Sequence, residues 1–331
     1  MLLVALAVTT PGRQLRERWR GRGSWLVITV GALLAVVGLA GSLVAPWRGT
    51  LVDVAAPMVA AEFPPSTWRV LQCDVGQGSA LLLSSAAAGG GERAVMVDVG
   101  PEQGDAAGCL AQAGVRHLDL LVLTHADADH VGALAPVLAA VEVEKVLVPE
   151  TSDPRMAEVV VQVRAAGVAV AQVSAESAAT QGPIEVGRRR LSVLWPTSRA
   201  VEIGQEVDPN ELSLTLWVSA PNLSLLVHGD LGAAAQVALT RATPALLTHP
   251  PDVVVVSHHG SPDQEPALLE AAAGRGALIS VGQDNDYGHP APAVVDTLTS
   301  AGALVARTDG GGGMGLRTAA DGGGSGAGCE Q

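Results

Sequence analysis

From residue 67 to about residue 320 the chain alternates short, nearly continuous apolar runs with segments whose apolar residues return every three or four positions. The first kind reads as strands covered on both faces, the second as amphipathic helices. Strand candidates are WRVLQCDV, ALLLSS, AVMVDVG, LDLLVLT, KVLVPE, RRLSVLW, LSLTLWV, LSLLVHGD, DVVVVSHHG and ALISVG. Helix candidates follow several of them: DAAGCLAQAG, HVGALAPVLAAV, PRMAEVVVQVRAAG, LGAAAQVALTRA, PALLEAAA and PAVVDTLTSAG. This order fits two sheets with helices outside, an αβ/βα sandwich of four layers in the α/β class.

A different pattern precedes this domain. Residues 24–47, SWLVITVGALLAVVGLAGSLVAPW, carry no charge. About two dozen residues at 1.5 Å each suffice to cross a hydrocarbon core of ~30 Å. Trp25 and Trp47 flank the run as interfacial anchors would, and the basic RQLRERWRGRG in residues 1–23 points to the cytoplasm. A single transmembrane helix is therefore expected, with the rest of the chain outside the membrane. A cleaved signal peptide is the competing reading, and the apolar run is long for one. The opening MLLVALAVTTPG looks like the tail of an earlier membrane helix, so the chain reads as a piece of a larger membrane protein. Residues 48–66 read as a linker, and 321–331, DGGGSGAGCEQ, as a disordered Gly-rich tail.

Composition narrows the choice of function. A chain of 331 residues with 48% hydrophobic residues can bury a large core. The net charge of -13 excludes a passive nucleic-acid coat, which presents a basic face. An enzyme acting on polyanions stays open, because bound divalent cations invert the local potential. Cys73, Cys109 and Cys329 are far apart, form no CxxC pair and read as incidental thiols without a disulfide framework.

Four of the apolar strands end in polar clusters: DVGQGSALLL from Asp74, THADADH at 124–130, HGD at 228–230 and SHHG at 257–260. Ligands at the tips of neighbouring strands can converge while the strands hold them rigidly. Positions 125, 127 and 129 alternate and His130 starts a helix, so a tight loop can aim all four side chains inward. Asp230 shares a strand face with Leu226 and His228, and its two oxygens could bridge two cations. A helix N-cap is the competing role for Asp230.

With these clusters in hand, HADADH, HGD and SHHG in this order resemble the metallo-β-lactamase superfamily. CDVGQGSALLL, VMVDVGP, LDLLVLTHADADHVGAL, VVVVSHHGS and YGHPAPAVV resemble the C-terminal domain of ComEC-type DNA-internalisation proteins. The resemblance implies a metallohydrolase attached to a bacterial competence channel in the cell membrane. His125 and Asp127 would bind one metal, Asp129 and His130 the second, Asp230 would bridge both, and His258 or its neighbour His259 would complete the second site. The superfamily's further histidine is missing: no histidine occurs between His130 and His228, and DPNELSLTL offers Asn210 and Ser213. An oxygen-rich site suits Mn²⁺ ahead of Zn²⁺. The expected reaction is phosphodiester hydrolysis of DNA, single-stranded above all, by a metal-bridging hydroxide. The alternative is a catalytically inactive module that guides DNA in the channel.

Asp129 and His289 are the candidate catalytic residues, His289 with Asn285 for contacting phosphate or protonating the leaving group; Ser213 and Asn285 are candidates for substrate binding. Asp74 reads as a support of the site with a direct ligand role as its alternative, Asp98 as a support behind the ligands with plain packing as its alternative, and Asn210 as a further ligand or support. His228, His117 and His249 read as ordinary strand-end or surface residues. The arginines of GRRR at 187–190 read as a solvated hairpin end rather than a phosphate contact. Tyr287 is the only tyrosine, which leaves no platform for stacking several bases.

Overall fold

The computed structural model describes residues 63–318 apart from 66, 87–88 and 204–207, and a last strand at 327–330. In chain order the strands are β1 Trp68–Gln72, β2 Leu81–Ser84, β3 Arg93–Val97, β4 His117–Val122, β5 Glu142–Val143, β6 Lys145–Pro149 and β7 Ala169–Val173. They continue as β8 Ile184–Val186, β9 Arg189–Trp195, β10 Thr215–Ala220, β11 Leu223–Val227, β12 Val253–Val255, β13 Gly276–Ile279 and β14 Leu304–Arg307, with β15 Met314–Thr318 and β16 Ala327–Glu330 last. One sheet runs β16-β15-β1-β2-β3-β4-β6-β7, with β5 beside β4; the other runs β14-β13-β12-β11-β10-β9-β8.

Alternation along each apolar run explains the layers. In β3, Val95 and Val97 face the core between the sheets, while Ala94 and Met96 face the helices. In β12, Val253 and Val255 join the inter-sheet core, and Val254 packs with Leu239, Leu268 and Leu298 from the helices outside. Both faces of these strands are buried, which is why their sequences show no polar alternation. The expected αβ/βα sandwich is therefore the observed fold.

All six expected helices form, the second as two short pieces, Ala128–Val131 and Leu134–Ala140. The structure adds β7, β8, β14 and β15, whose sequences are short or weakly apolar, and a helix at Ala175–Gln181 capped by Ser174. Two expectations need correction. Part of the tail read as disordered forms β16, paired antiparallel with β15. Cys73 and Cys109, read as separate thiols, are joined in a disulfide. They stand 36 residues apart in sequence, and the fold brings them together by packing helix Ala106–Gln112 against the end of β1.

Among the described residues no helix is long and apolar enough to cross a membrane. The expected span at 24–47, the basic segment 1–23 and most of the linker lie outside the described residues.

Candidate metal centre

Strands β3, β4, β11 and β12 deliver their C-terminal ends to one edge of the sandwich. After β4 the chain turns through 124–127 into the short helix carrying Asp129 and His130. After β11 comes His228-Gly229-Asp230, and after β12 the 257–260 turn. Gly229 is needed there, because a Cβ would lie 2.6 Å from Thr124 Oγ1. Gly78 lets the 73–80 loop brace the same edge: a Cβ would lie 2.3 Å from the Asp129 carbonyl oxygen. That carbonyl accepts the Ser79 amide at 3.1 Å.

Asp129, His130, Asp230 and His259 each present one ligand atom, and these atoms all lie within 4.8 Å of one another. His130 Nε2 is 3.1 Å from Asp230 Oδ1 and 3.3 Å from His259 Nε2. His259 Nε2 is 3.1 Å from Asp129 Oδ2 and 3.5 Å from Asp230 Oδ2. His125 Nε2 stands slightly apart, 3.8 Å from Asp127 Oδ2 and 3.9 Å from Asp230 Oδ2. Asp230 thus turns one oxygen to His130 and the other to His125 and His259.

Each imidazole is held through its other nitrogen. Asp98 Oδ2 accepts from His130 Nδ1 at 2.8 Å and from Thr124 Oγ1 at 2.8 Å, while its Oδ1 accepts the Thr124 amide. Thr124 Oγ1 in turn meets His125 Nδ1 at 3.1 Å. His259 Nδ1 donates to the Ser280 carbonyl at 2.9 Å. All three rings therefore offer Nε2 inward, the arrangement by which partners behind metal-binding histidines fix tautomer and direction.

The electrostatics follow from burial. Burial opposes a charged Asp230, but the His130 and His259 cations hold its carboxyl well below the usual range. Burial likewise disfavours the His259 cation, yet the Asp230 charge and hydrogen bonds to Asp129 and Asp230 lift it to about 9. Burial pushes His125 down to about 3, helped by repulsion from His130. Its Nε2 is buried without a hydrogen-bond partner. A neutral orphaned nitrogen facing two carboxylates, beside two further imidazoles and a third carboxylate, is a donor set that fits a divalent cation.

The structure separates the two adjacent histidines. Residues 258–260 all take positive φ, a turn that swings the His259 ring into the group. His258 stays at its edge, 3.8 Å from Asp230 Oδ2 and 32% exposed.

Asp127 points Oδ2 toward His125, while its Oδ1 accepts from Arg155 Nη1 at 2.5 Å. Arg155 was not singled out from the sequence; it belongs to helix Pro154–Ala165 and also binds Asp153, which caps that helix. Asp230 is not the cap of the helix after it: that helix, Ala233–Ala242, starts from Gly232. Asn210 lies on a single 3₁₀ turn with a buried, unpartnered Oδ1. Ser213, expected to bind substrate, is fully buried, and its Oγ accepts the Asp230 amide at 3.2 Å. Asn285 is occupied in its own loop, donating to the Gly282 and His289 carbonyls and accepting the His289 amide. His289 lies 5.6 Å from His258, ring to ring, with a buried unpartnered Nδ1. Asp74 is exposed and accepts only the Gly76 amide, away from the group. His228 is buried outside the group against Thr215.

The chain is 29% identical over 203 residues to ComE operon protein 3 of Bacillus subtilis (strain 168), covering 60% of this chain and 24% of that one. It is 27% identical over 295 residues to the competence protein ComA of Neisseria gonorrhoeae, covering 86% of this chain and 37% of that one. The chain thus spans between about a quarter and somewhat over a third of the length of these relatives, and the resemblance to the competence proteins holds. Solved structures similar to it include Zn²⁺-bound PqqB from Methylobacterium extorquens, with 16% identity, a TM-score of 0.44, and 71% of this chain and 87% of that one covered. Another is a diphosphatase of the PhnP family, with 12% identity, a TM-score of 0.43, and 72% and 93% covered. The family model of the metallo-β-lactamase superfamily matches residues 73–282, more than half of the chain. The chain belongs to the metallo-β-lactamase superfamily.

Proposed function

We propose that this chain is a divalent-metal-dependent phosphodiesterase that cleaves DNA, single-stranded DNA first, during competence-type uptake. The observation that carries the reading is the compact Asp129–His130–Asp230–His259 group with the orphaned His125 Nε2 beside it. Asp129, His130 and His259 would hold one cation, His125 and Asp127 the other, and Asp230 would bridge them. The high share of carboxylate oxygen favours Mn²⁺ over Zn²⁺. Divalent cations bound there would supply a water of lowered pKa and neutralise charge on the phosphoryl oxygens.

The remaining work falls to the chain's own residues. Asp98, Thr124 and the Ser280 carbonyl keep the imidazoles aimed, so no reorganisation is needed when substrate arrives. His289, beside His258 at the edge of the site, would protonate the leaving oxygen; burial, then repulsion from His258, lowers its pKa, so the donating imidazolium would be the minor, more acidic form at neutral pH.

The likeness to two competence proteins supports DNA as the substrate and a channel-forming membrane domain as partner. The uncharged run at 24–47 supports anchoring in a bacterial membrane. The Cys73–Cys109 disulfide supports a domain on the extracytoplasmic side, where disulfides persist. A second reading is favoured by one contact: Arg155 holds Asp127 in an ion pair, as expected if the first metal position is degenerate and the module guides DNA without cutting it.

The test is cleavage of a labelled single-stranded oligonucleotide by the full chain, stripped and resupplied with Mn²⁺, Mg²⁺ or Zn²⁺. Cleavage that is strongest with Mn²⁺ and absent in Asp129→Ala supports the nuclease; bound metal without cleavage supports the guiding module.

A further inference from the structure

Three arginines stand together at the end of the sandwich opposite the metal centre. Arg69 lies near the start of β1, Arg189 opens β9, and Arg188 sits in the turn before it. β1 runs in the same direction as β3, and β9 in the same direction as β11, so their first residues are remote from the strand ends that carry the ligands.

Arg189 is 4% exposed and Arg69 8%. Arg189 donates from Nε to the Ser84 carbonyl and from Nη2 to the Arg69 carbonyl at 2.6 Å. Arg69 donates from Nη1 to the Pro221 carbonyl at 3.1 Å. All these acceptors are neutral. Arg189 Nη1 and Arg69 Nε are buried with no hydrogen-bond partner. Among the described residues no carboxylate lies within ion-pair distance of Arg69, Arg188 or Arg189; Glu185 nearby is engaged by Arg190 at 3.1 Å. Burial and mutual repulsion lower the pKa of Arg69, and hold Arg189 down at about 10.

A buried charge is normally paired. In a chain with 33 acidic residues against 20 basic ones, three adjacent guanidinium groups left without a carboxylate are out of keeping with the rest of the molecule. Beside them is an open pocket of about 310 Å³, lined by Arg188, Arg189, Arg190, Glu185, Ser219 and Pro221. Gly187, at φ +57, presses the turn against the end of β2, where a Cβ would lie 2.4 Å from the Ser85 carbonyl oxygen. The turn that carries the arginines is therefore set in place. Arg188, whose side chain has no hydrogen bond among the described residues, keeps its whole guanidinium fork for the oxygens of a tetrahedral oxyanion, while Arg189, two of whose nitrogens hold backbone carbonyls, adds its charge.

We propose that Arg188 and Arg189, with Arg69 buried beside them, form a binding site for a phosphate group in this pocket, separate from the metal centre. The phosphate can belong to a nucleic-acid backbone or be free in solution; both present the same oxygens. The site does not depend on catalysis at the other end of the domain.

The test is titration calorimetry of the metal-stripped full chain with inorganic phosphate, at ionic strength held constant with chloride. One phosphate per chain is expected, retained in Asp230→Ala and bound at least tenfold more weakly by Arg188→Gln. Arg188 is exposed and its side chain makes no hydrogen bond among the described residues, so its loss leaves the fold in place; Arg189→Lys, which keeps the charge and loses the fork, is expected to weaken binding as well. Absence of binding in the natural chain, binding lost in Asp230→Ala, or unchanged affinity in both arginine variants would overturn the proposal. Competition with octathymidine then names the source: displaced phosphate identifies a nucleic-acid backbone, and undisplaced phosphate a free anion.

Discussion

Asp98 accepts the Nδ1 proton of His130 at 2.8 Å, from a backbone position of φ +58 that non-glycine residues seldom take. The same carboxylate binds Thr124, which meets His125, so one buried acid orients histidines of both proposed metal positions. Asp98→Ala is expected to weaken Mn²⁺ binding by about 10–100-fold, the usual effect of removing a partner behind a ligand. Asp74→Ala, at an exposed carboxylate outside the group, leaves it unchanged. Calorimetric Mn²⁺ titration of both variants checks this.

The adjacent histidines should behave differently. His259→Ala removes an imidazole from the centre of the group and is expected to abolish tight metal binding at the Asp129–His130 position. His258→Ala, at the rim, retains the metal. Elemental analysis of the two purified proteins separates them.

Arg155 holds one oxygen of Asp127 and leaves the other turned to His125. The pair is partly exposed, so its direct contribution to stability is small, about 0–1 kcal/mol. Arg155→Ala is therefore expected to unfold at nearly the natural denaturant midpoint. Its effect falls on the His125–Asp127 cation: affinity falls roughly tenfold if Arg155 anchors the carboxylate, as the nuclease reading expects, whereas a rise would mark Arg155 as the substitute for that cation and favour the guiding module. Electron paramagnetic resonance of Mn²⁺ titrated into the variant follows this.

The disulfide closes a loop of 36 residues. Loop closure of that length corresponds to about 4 kcal/mol by the chain-entropy argument, within a usual range of roughly 2–4 kcal/mol. Cys73→Ser with Cys109→Ser is expected to lower unfolding free energy by that amount. Cys73 directly precedes the loop that braces Asp129, so metal binding should weaken as well. Urea unfolding with and without a reductant measures the first effect.

Much of this was legible in the sequence because strand-end ligands announce themselves. HADADH, HGD and SHHG each follow a run whose burial on two faces is written in its lack of polar residues, and the sandwich follows from the order of those runs. What escaped notice depends on contacts between distant segments. Arg155 is 28 positions from Asp127 and sits in an unremarkable helix start. Cys73 and Cys109 meet only because helix Ala106–Gln112 packs on the end of β1. The choice between His258 and His259 rests on three consecutive positive φ angles, which no pattern of residue types encodes. Ser213 looked available to substrate by its position and proves to be a buried support for the Asp230 backbone.

Under the proposed function, two divalent cations at this centre would make the chain a nuclease. Metal-stripped full chain titrated with Mn²⁺, with bound metal and cleavage of a single-stranded oligonucleotide read on the same samples, tests it most directly. Cleavage should rise with the second equivalent and be absent at any loading in Asp230→Ala. Two bound Mn²⁺ without cleavage, or cleavage that persists in Asp230→Ala, would contradict it.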